Sequence, residues 1–335
     1  MADIRVDMKT MQRMDAFEAS ELLMLWAPRV YFHPSEKWFP MDMDVYVNNC
    51  HGLDGDGAPV PGAEAGTLTW ERLADMEDAG DKSVRRLDID DGWLAANESK
   101  MNNLGLYGIA GRMADGNIML CYPMFYADNP AVPVALLFGA GAHKADLEFV
   151  YFLLDPTGKE LHWAYMTAHG TLEHSWVPAS KMLYDRLTRL EAGRTFLRAG
   201  ERPSIFVAYN SHAVYWQPGT HWRVFGFTAD ICSSSGPVLD FASPNLLRIM
   251  NLDADPIFKY TGRMGPDGVG SFRGGRLSIS LLRTHHSASG PGRRIFLDMV
   301  SPEVGFFAFG LVAACMMSGA ALYAYITFVQ PKCDA

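Results

Sequence analysis

Apolar and polar positions change period several times along the chain. Over residues 12 to 27, Met14, Phe17, Leu22 and Leu25 sit close to helical spacing and Pro28 follows, which predicts a short helix stopped by the proline. From residue 117 onward the pattern is different. Runs at 117 to 126 (NIMLCYPMFY), 132 to 138 (VPVALLF), 147 to 154 (LEFVYFLL), 161 to 168 (LHWAYMTA), 204 to 209 (SIFVAY) and 222 to 228 (WRVFGFT) are rich in aromatic and branched residues. Turn formers bound them, so they read as strands. Between 154 and 161, DPTGKE places Asp155, Pro156 and Gly158 at positions suited to a type I turn, so its two flanking runs should form a hairpin. One helix is expected among the strands. Ser180 would cap it, Leu183, Leu187, Leu190 and Leu197 repeat at helical spacing, and Gly200 and Pro203 would end it. Residues 51 to 66 and 262 to 275 are Gly-rich and read as loops; further strands are expected near 276 to 283 and 294 to 300.

Residues 304 to 329 carry no charge in 26 positions. As a helix they would span roughly 39 Å at 1.5 Å per residue, enough to cross a hydrocarbon core of about 30 Å with some tilt. Tyr323 and Tyr325 lie toward one end, where interfacial aromatics belong. Gly310, Ala314 and Gly319 present small surface, which either lets another helix approach closely or reflects tolerance of small residues in lipid. Arg293 and Arg294 precede the span and Lys332 follows it, a weak bias that keeps the large domain on the cytosolic or matrix-like side.

The expected architecture is therefore mainly β: a β-sandwich with a few helices, then one C-terminal transmembrane helix. The expected organisation is an N-terminal helical segment over 1–24, the sandwich over 25–300, the membrane helix over 304–329 and a short tail over 330–335. The composition, 49% hydrophobic and 20% charged, supplies enough apolar material for such a core. A net charge of -9 with scattered Lys and Arg leaves no basic stripe, which argues against nucleic-acid binding. The five cysteines are odd in number and no two are close enough for a C-x-x-C pair, so reduced thiols are expected. The N-terminal stretch holds Asp3 and Asp7 and does not resemble a secretory signal.

Candidate chemistry centres on GAHKADLEFV, residues 141 to 150, in which His143, Asp146 and Glu148 stand in H-x-x-D-x-E spacing. If the strand begins near Asp146, the two carboxylates share one face and His143 lies on a loop just upstream. Two carboxylates and an imidazole can hold a divalent cation. The oxygen donors favour Mg²⁺, Ca²⁺ or Mn²⁺, and the imidazole keeps Zn²⁺ open. The competing reading is the wet start of an ordinary strand. Asp54, Asp56 and Gly57 faintly echo a calcium loop whose later ligands are absent, so they read as solvated loop. His169, His174, His212 and His221 stand at strand ends or in loops, where a hydrogen-bonded histidine is the ordinary case. Ser211 beside His212 is not a catalytic pair, because adjacent residues on an extended strand point apart. No nucleophile elbow, phosphate loop or dinucleotide fingerprint occurs.

Four segments in order carry a resemblance. WAPRVYFHPSEKWFP (26 to 40), GAHKADLEFVYF, YMTAHG, and IFVAYNSHAVYWQPGTH (205 to 221) with the following ADIC resemble the Vps62-like (vacuolar protein sorting 62-related) family over about residues 25 to 240. The H-x-x-D-x-E core is also similar to the central motif of NPP1-like necrosis-inducing proteins, β-sandwiches that bind a divalent ion there. The resemblance implies His143, Asp146 and Glu148 as metal ligands, with His169 and His212 lining the same end of the sandwich. Leu147 stands where the Vps62-like pattern has Trp, which changes packing and removes no ligand. The family name hints at vacuolar trafficking and supplies no reaction.

With no complete nucleophile–base constellation, the expected function is a membrane-anchored, non-enzymatic accessory or structural subunit of a larger membrane protein complex. It would sit in an organellar membrane, the mitochondrial inner membrane being one setting. The alternative is a metal-dependent headgroup or glycan binder, or a hydrolase, at the membrane surface. The expected partners are the lipid bilayer and the other subunits.

Overall fold

A computed structural model describes residues 12–77, 84–130, 143–168, 176–223, 228–251, 254–260 and 262–265, with the side chains of 77, 222, 223 and 228 excepted. The chain divides into two compact units, Met1–Arg294 and Ile295–Ala335. The second unit lies wholly outside the described residues. So do the run 132 to 138, the strands expected at 276 to 283 and 294 to 300, and the 304–329 span with Gly310, Ala314 and Gly319. Among the described residues no helix is long and apolar enough to cross a membrane.

The N-terminal part runs β1 (Gln12–Arg13), α1 (Ala16–Trp26), β2 (Arg29–Tyr31), α2 (Met43–Asn48), β3 (Cys50–Leu53), α3 (Trp70–Glu77), β4 (Arg86–Ile89) and α4 (Asp91–Asn97). The long strands follow: β5 (Leu106–Arg112), β6 (Ile118–Asn129), β7 (His143–Leu154) and β8 (Glu160–Met166). Shorter strands complete the described part: β9 (Val177–Pro178), β10 (Leu183–Tyr184), β11 (Thr188–Arg189), β12 (Leu197–Arg198), β13 (Pro203–Val207), β14 (Val214–Tyr215), β15 (Gly219–Arg223), β16 (Thr228–Cys232), β17 (Val238–Asp240) and β18 (Leu247–Ile249). The protein is mainly β with a few helices.

The larger sheet has the order β1-β5-β6-β7-β8-β12, with β18 added on β5 and β9 on β8. The smaller has the order β11-β10-β13-β2-β17, with β14 on β13. Both are open, and β15-β16 and β3-β4 form separate two-stranded ribbons. Within the larger sheet β6 is central and buried along nearly its whole length. Both its faces are covered, which explains a continuous apolar run instead of strict alternation. On one face Tyr122 Oη donates to Leu23 O of α1 at 2.9 Å. On the other, Phe125 packs edge-on against Tyr46 of α2, with ring centroids 4.8 Å apart.

Helix α1 forms as its pattern predicts. Asp15 caps it, accepting from Phe17 N at 2.9 Å and Glu18 N at 3.3 Å, and Pro28 follows its end. Its buried residues Leu23 and Trp26 lie over the larger sheet, and Trp26 Nε1 donates to Gly158 O at 3.0 Å. The β7–β8 hairpin also forms. Asp155 Oδ1 accepts from Lys159 N and Glu160 N, both at 2.8 Å, and Gly158 N donates to Asp155 O at 3.0 Å. Gly158 has φ +72°, and a Cβ there would stand 2.7 Å from Leu22 Cδ2, so glycine is required by both conformation and space.

The helix expected from Ser180 to Leu197 does not form. Its place is taken by a short 3₁₀ turn at Ala179–Lys181 and the strands β10, β11 and β12. Leu183 pairs with Ser204 of β13, and Leu197 pairs with Leu161 of β8. Asp185 (φ +47°) and Leu187 (φ +64°) turn the chain between β10 and β11. Leu183 and Leu187 pack on the Tyr31–Phe206 cluster, so tertiary burial overrides the helical spacing. Of the run expected at 222 to 228, residues 222 and 223 end β15 and residue 228 starts β16, which pair antiparallel, and 224–227 lie outside the described residues.

Candidate functional site

The site grows out of the β6–β7 pair. These strands pair from Ile118↔Leu154 to Asn129↔His143, with Tyr126 opposite Asp146 and Met124 opposite Glu148. Asp146 and Glu148 therefore share one face, as their spacing predicts, and Tyr126 stands on the same face. His143 differs from expectation. It opens β7 instead of lying on a loop ahead of it, because β6 continues to Asn129 and pairs with it. His143 Nδ1 donates to Ala145 O at 3.2 Å, and Ala145 adopts φ +61°.

Opposite this face stands the loop that follows β13. Asn210 (φ +63°) and His212 (φ +53°) both take left-handed backbone there. Three non-glycine residues in that conformation, Ala145, Asn210 and His212, thus surround one spot. Each is sterically costly, and such outliers concentrate at sites the fold over-determines. The turn drives His212 into the interior, where none of its surface is exposed. Its ring lies 3.9 Å from the Tyr126 ring at 5°, a parallel stack.

His212 bridges two carboxylates. Nδ1 donates to Asp146 Oδ2 at 3.0 Å, and Nε2 faces Glu36 Oε1 at 3.6 Å, an ion-pair distance. Burial alone would strip the proton from this imidazole, but the hydrogen bond it donates to Asp146 and the charge of Glu36 win, and its pKa is raised to about 9. Burial opposes charge on Asp146 too; His212 and Asn129 outweigh it and hold the carboxyl below its ordinary value. Glu36 is also held low, burial being overcome by His212 and by the backbone N–H groups of Trp38 and Lys37. The result is an imidazolium between two carboxylates, a buried ion triad joining β7, the loop after β2 and the loop after β13.

Every oxygen of Asp146 has a partner. Asn129 Nδ2 donates to Oδ2 at 2.8 Å, beside the His212 bond, and Leu147 N donates to Oδ1 at 2.9 Å. Glu148 Oε2 accepts from the Thr167 hydroxyl, whose oxygen accepts from Phe149 N at 2.7 Å. Glu36 Oε1 accepts from Lys37 N at 2.9 Å and Trp38 N at 3.0 Å, and Oε2 from Asn210 N at 3.1 Å. Among the described residues no group of three His, Cys, Asp or Glu side chains is arranged to hold a metal ion. His169 and His174 lie outside the described residues.

The other candidates fall out simply. Asp54 Oδ1 accepts from Asp56 N and Ala58 N, so the calcium-like stretch is a loop closed on its own backbone. Ser211 Oγ donates to Asp230 Oδ1 at 2.7 Å, away from His212, and Tyr215 Oη donates to Asp230 Oδ2 at 2.7 Å. His221 stacks on Tyr215, with centroids 3.7 Å apart. Cys50, Cys121 and Cys232 are buried free thiols.

Sequence reasoning missed Glu36, Tyr126 and Asn129 as parts of the site. Glu36 stands inside the quoted FHPSEKW segment, so a signal was present. Its partner His212 lies 176 residues further along the chain, a distance that spacing cannot read.

No family model matches the chain, and no curated protein does. The Vps62-like resemblance therefore finds no support there. Solved structures do match. NLPPya in complex with mannosamine is 15% identical, with a TM-score of 0.32 over 62% of this chain and 70% of that chain. A structure described as "Toxin fold for microbial attack and plant defense" is 15% identical, with a TM-score of 0.29 over 58% of this chain and 76% of that one. Necrosis and ethylene inducing protein 2 from the causal agent of cocoa's witches' broom disease is 12% identical, with a TM-score of 0.29 over 65% of this chain and 72% of that one. These neighbours are of the necrosis-inducing kind to which the H-x-x-D-x-E core is similar, and at such TM-scores the likeness carries no argument about function.

Proposed function

We propose that this chain is a membrane-anchored, non-enzymatic accessory subunit of a larger membrane protein complex. The uncharged 304–329 stretch would be its anchor, and the β-rich domain, read as a sandwich of the two main sheets, its docking part. One observation carries the non-enzymatic half of this reading. The polar groups that could have done chemistry are consumed by one another: both nitrogens of His212 face carboxylates, and Asp146 and Glu148 are held by internal donors. A general base needs a free lone pair aimed at solvent or substrate, and His212 offers none. The anchor and an organellar setting such as the mitochondrial inner membrane rest on the sequence alone. The test is extraction from native membrane in mild detergent, followed by size separation and mass spectrometry of what migrates with the chain. Co-migration with a fixed larger assembly supports the reading. Migration as one chain plus micelle overturns it.

A second reading has a specific observation behind it. A cleft of about 310 Å³ opens beside the ion triad, lined in part by Asp128 and Asn210. It suits a metal-assisted headgroup or glycan binder, or a hydrolase, with His143, Asp146 and Glu148 holding a divalent cation of the Mg²⁺ or Ca²⁺ kind and His212 nearby; a part for His169 rests on the resemblance alone. A cation there would supply Lewis acidity. Its arrival would require Asp146 to give up Asn129 or His212. Metal content of the purified chain, compared with His143→Ala, tests this: a stoichiometric ion lost in the variant supports it, and metal-free protein refutes it.

A further inference from the structure

The cleft has its own chemistry, independent of the anchor and of any metal. Four segments meet around it: the loop carrying Lys37 and Trp38, helix α4 with Leu94, the end of β6 with Asp128, and the loop after β13 with Tyr209. Trp38 and Tyr209 are its aromatic walls, and the His33 ring packs against Tyr209 at 4.9 Å. Its charged lining is Lys37, Glu98 and Asp128. Lys37 Nζ lies 2.6 Å from Glu98 Oε1, so those two charges cancel at the rim.

Asp128 is left over. It is half-buried, and its carboxylate takes a hydrogen bond from the Asn129 backbone. Burial pushes its carboxyl up, with the fields of His212, His143 and Lys144 only partly compensating. Each of those cations or imidazoles is committed elsewhere. His212 is held by Asp146 and Glu36, and His143 by Ala145 O. Lys144, paired with Asp128 across the strands, sends its ammonium to Asp88 at 3.0 Å and Asp91 at 2.7 Å. Among the described residues the cleft therefore presents one negative charge without an ion-pair partner, set near two aromatic side chains and apolar Leu94.

We propose that this cleft binds a small organic ammonium cation, with Asp128 as its counter-charge and Trp38 and Tyr209 as aromatic walls. A desolvated cation near aromatic rings gains from their quadrupoles, and a partly buried carboxylate adds a charge-assisted contact. The volume lies at the bottom of the usual range for ligand pockets, about 300–1,000 Å³, which suits one headgroup-sized cation. A simple anion is disfavoured, because Asp128 would repel it and Lys37 is already paired.

The test uses the full chain in a maltoside detergent with EDTA present, so that metal-dependent binding is silent and its failure or success is separate. Choline chloride is titrated calorimetrically against its uncharged isostere, 3,3-dimethylbutan-1-ol. The expected result is saturable choline binding, with the isostere weaker by about tenfold or more, and a loss of about tenfold in Asp128→Asn with unchanged circular dichroism. Should Asp128→Asn fail to fold, Tyr209→Leu serves, with a loss of about fivefold expected. Phosphatidylcholine vesicles then compete. Displacement of choline assigns the ligand to a lipid headgroup, and its persistence assigns a soluble amine. Equal binding of choline and isostere, absence of choline binding, or wild-type affinity in the folded variants overturns the proposal.

Discussion

His212 donates from Nδ1 to Asp146 Oδ2 at 3.0 Å across a boundary between two sheets, in a place where the imidazole has no exposed surface. The Glu36 carboxylate faces the other ring nitrogen at 3.6 Å. Replacing the histidine would leave two carboxylates buried without their cation. We therefore expect His212→Ala to lower stability by about 3–5 kcal/mol, the usual cost of breaking a buried ion pair. Urea denaturation followed by tryptophan fluorescence reads this. A loss below 1 kcal/mol would mean that the triad contributes little.

The triad also fixes how stability depends on pH. Asp146 and Glu36 have depressed folded values, so their contribution is complete above about pH 4.5 and is lost as pH falls through those values. His212 is raised from 6.5 to about 9, so its contribution is complete below 6.5 and is lost as pH rises toward 9. In EDTA-containing buffer, melting temperature should be greatest between about pH 4.5 and 6.5 from this group of residues, and His212→Gln should flatten the alkaline limb. An alkaline limb identical in both proteins would contradict the assignment.

Ala145 is buried with φ +61°, a conformation that costs an L-residue roughly 1–2 kcal/mol. Ala145→Gly should therefore be stabilising, by about 1 kcal/mol after glycine's larger entropy loss on folding. Ala145→Val should be destabilising, since branched side chains tolerate this region worst. A thermal shift in the opposite direction for glycine would show that the backbone there is not strained.

Thr167 serves two masters. Its hydroxyl oxygen accepts from Phe149 N at 2.7 Å and its proton goes to Glu148 Oε2. The near-isosteric Thr167→Val leaves a buried N–H unpaired, at a cost of about 1–3 kcal/mol. Faster amide exchange at Phe149 should accompany the loss. Unchanged protection there would place the hydrogen bond elsewhere.

Much of this architecture is legible in the chain because local and tertiary preferences agree. Asp15 and Pro28 bracket α1, and the DPTGKE turn sets the β7–β8 register. The shared face of Asp146 and Glu148 follows from period two alone. Where the two levels conflict, burial wins. Leu183, Leu187, Leu190 and Leu197 keep helical spacing, yet β13 and β8 each offer an unpaired edge and an apolar surface, and the segment is drawn into short strands. The site was half legible for the same reason. Its carboxylates Asp146 and Glu148 lie two strand positions apart, while Glu36 and His212 reach them only through the fold. The small helices α2 and α4 were missed although Asp42 and Asp90 cap them, because six or seven residues are too few to show a period.

His212 acts here as a charged strut and not as a free base or a metal ligand. Side-chain ¹⁵N NMR of the histidines, at pH 7 with EDTA and again after addition of Mg²⁺, Ca²⁺ or Zn²⁺, tests this most directly. We predict that one imidazole, absent from the spectrum of His212→Gln, carries protons on both ring nitrogens at pH 7, titrates near pH 9 and ignores the added ions. A neutral His212 at pH 7, or a ring resonance that moves to a metal-bound position when an ion is added, would contradict it.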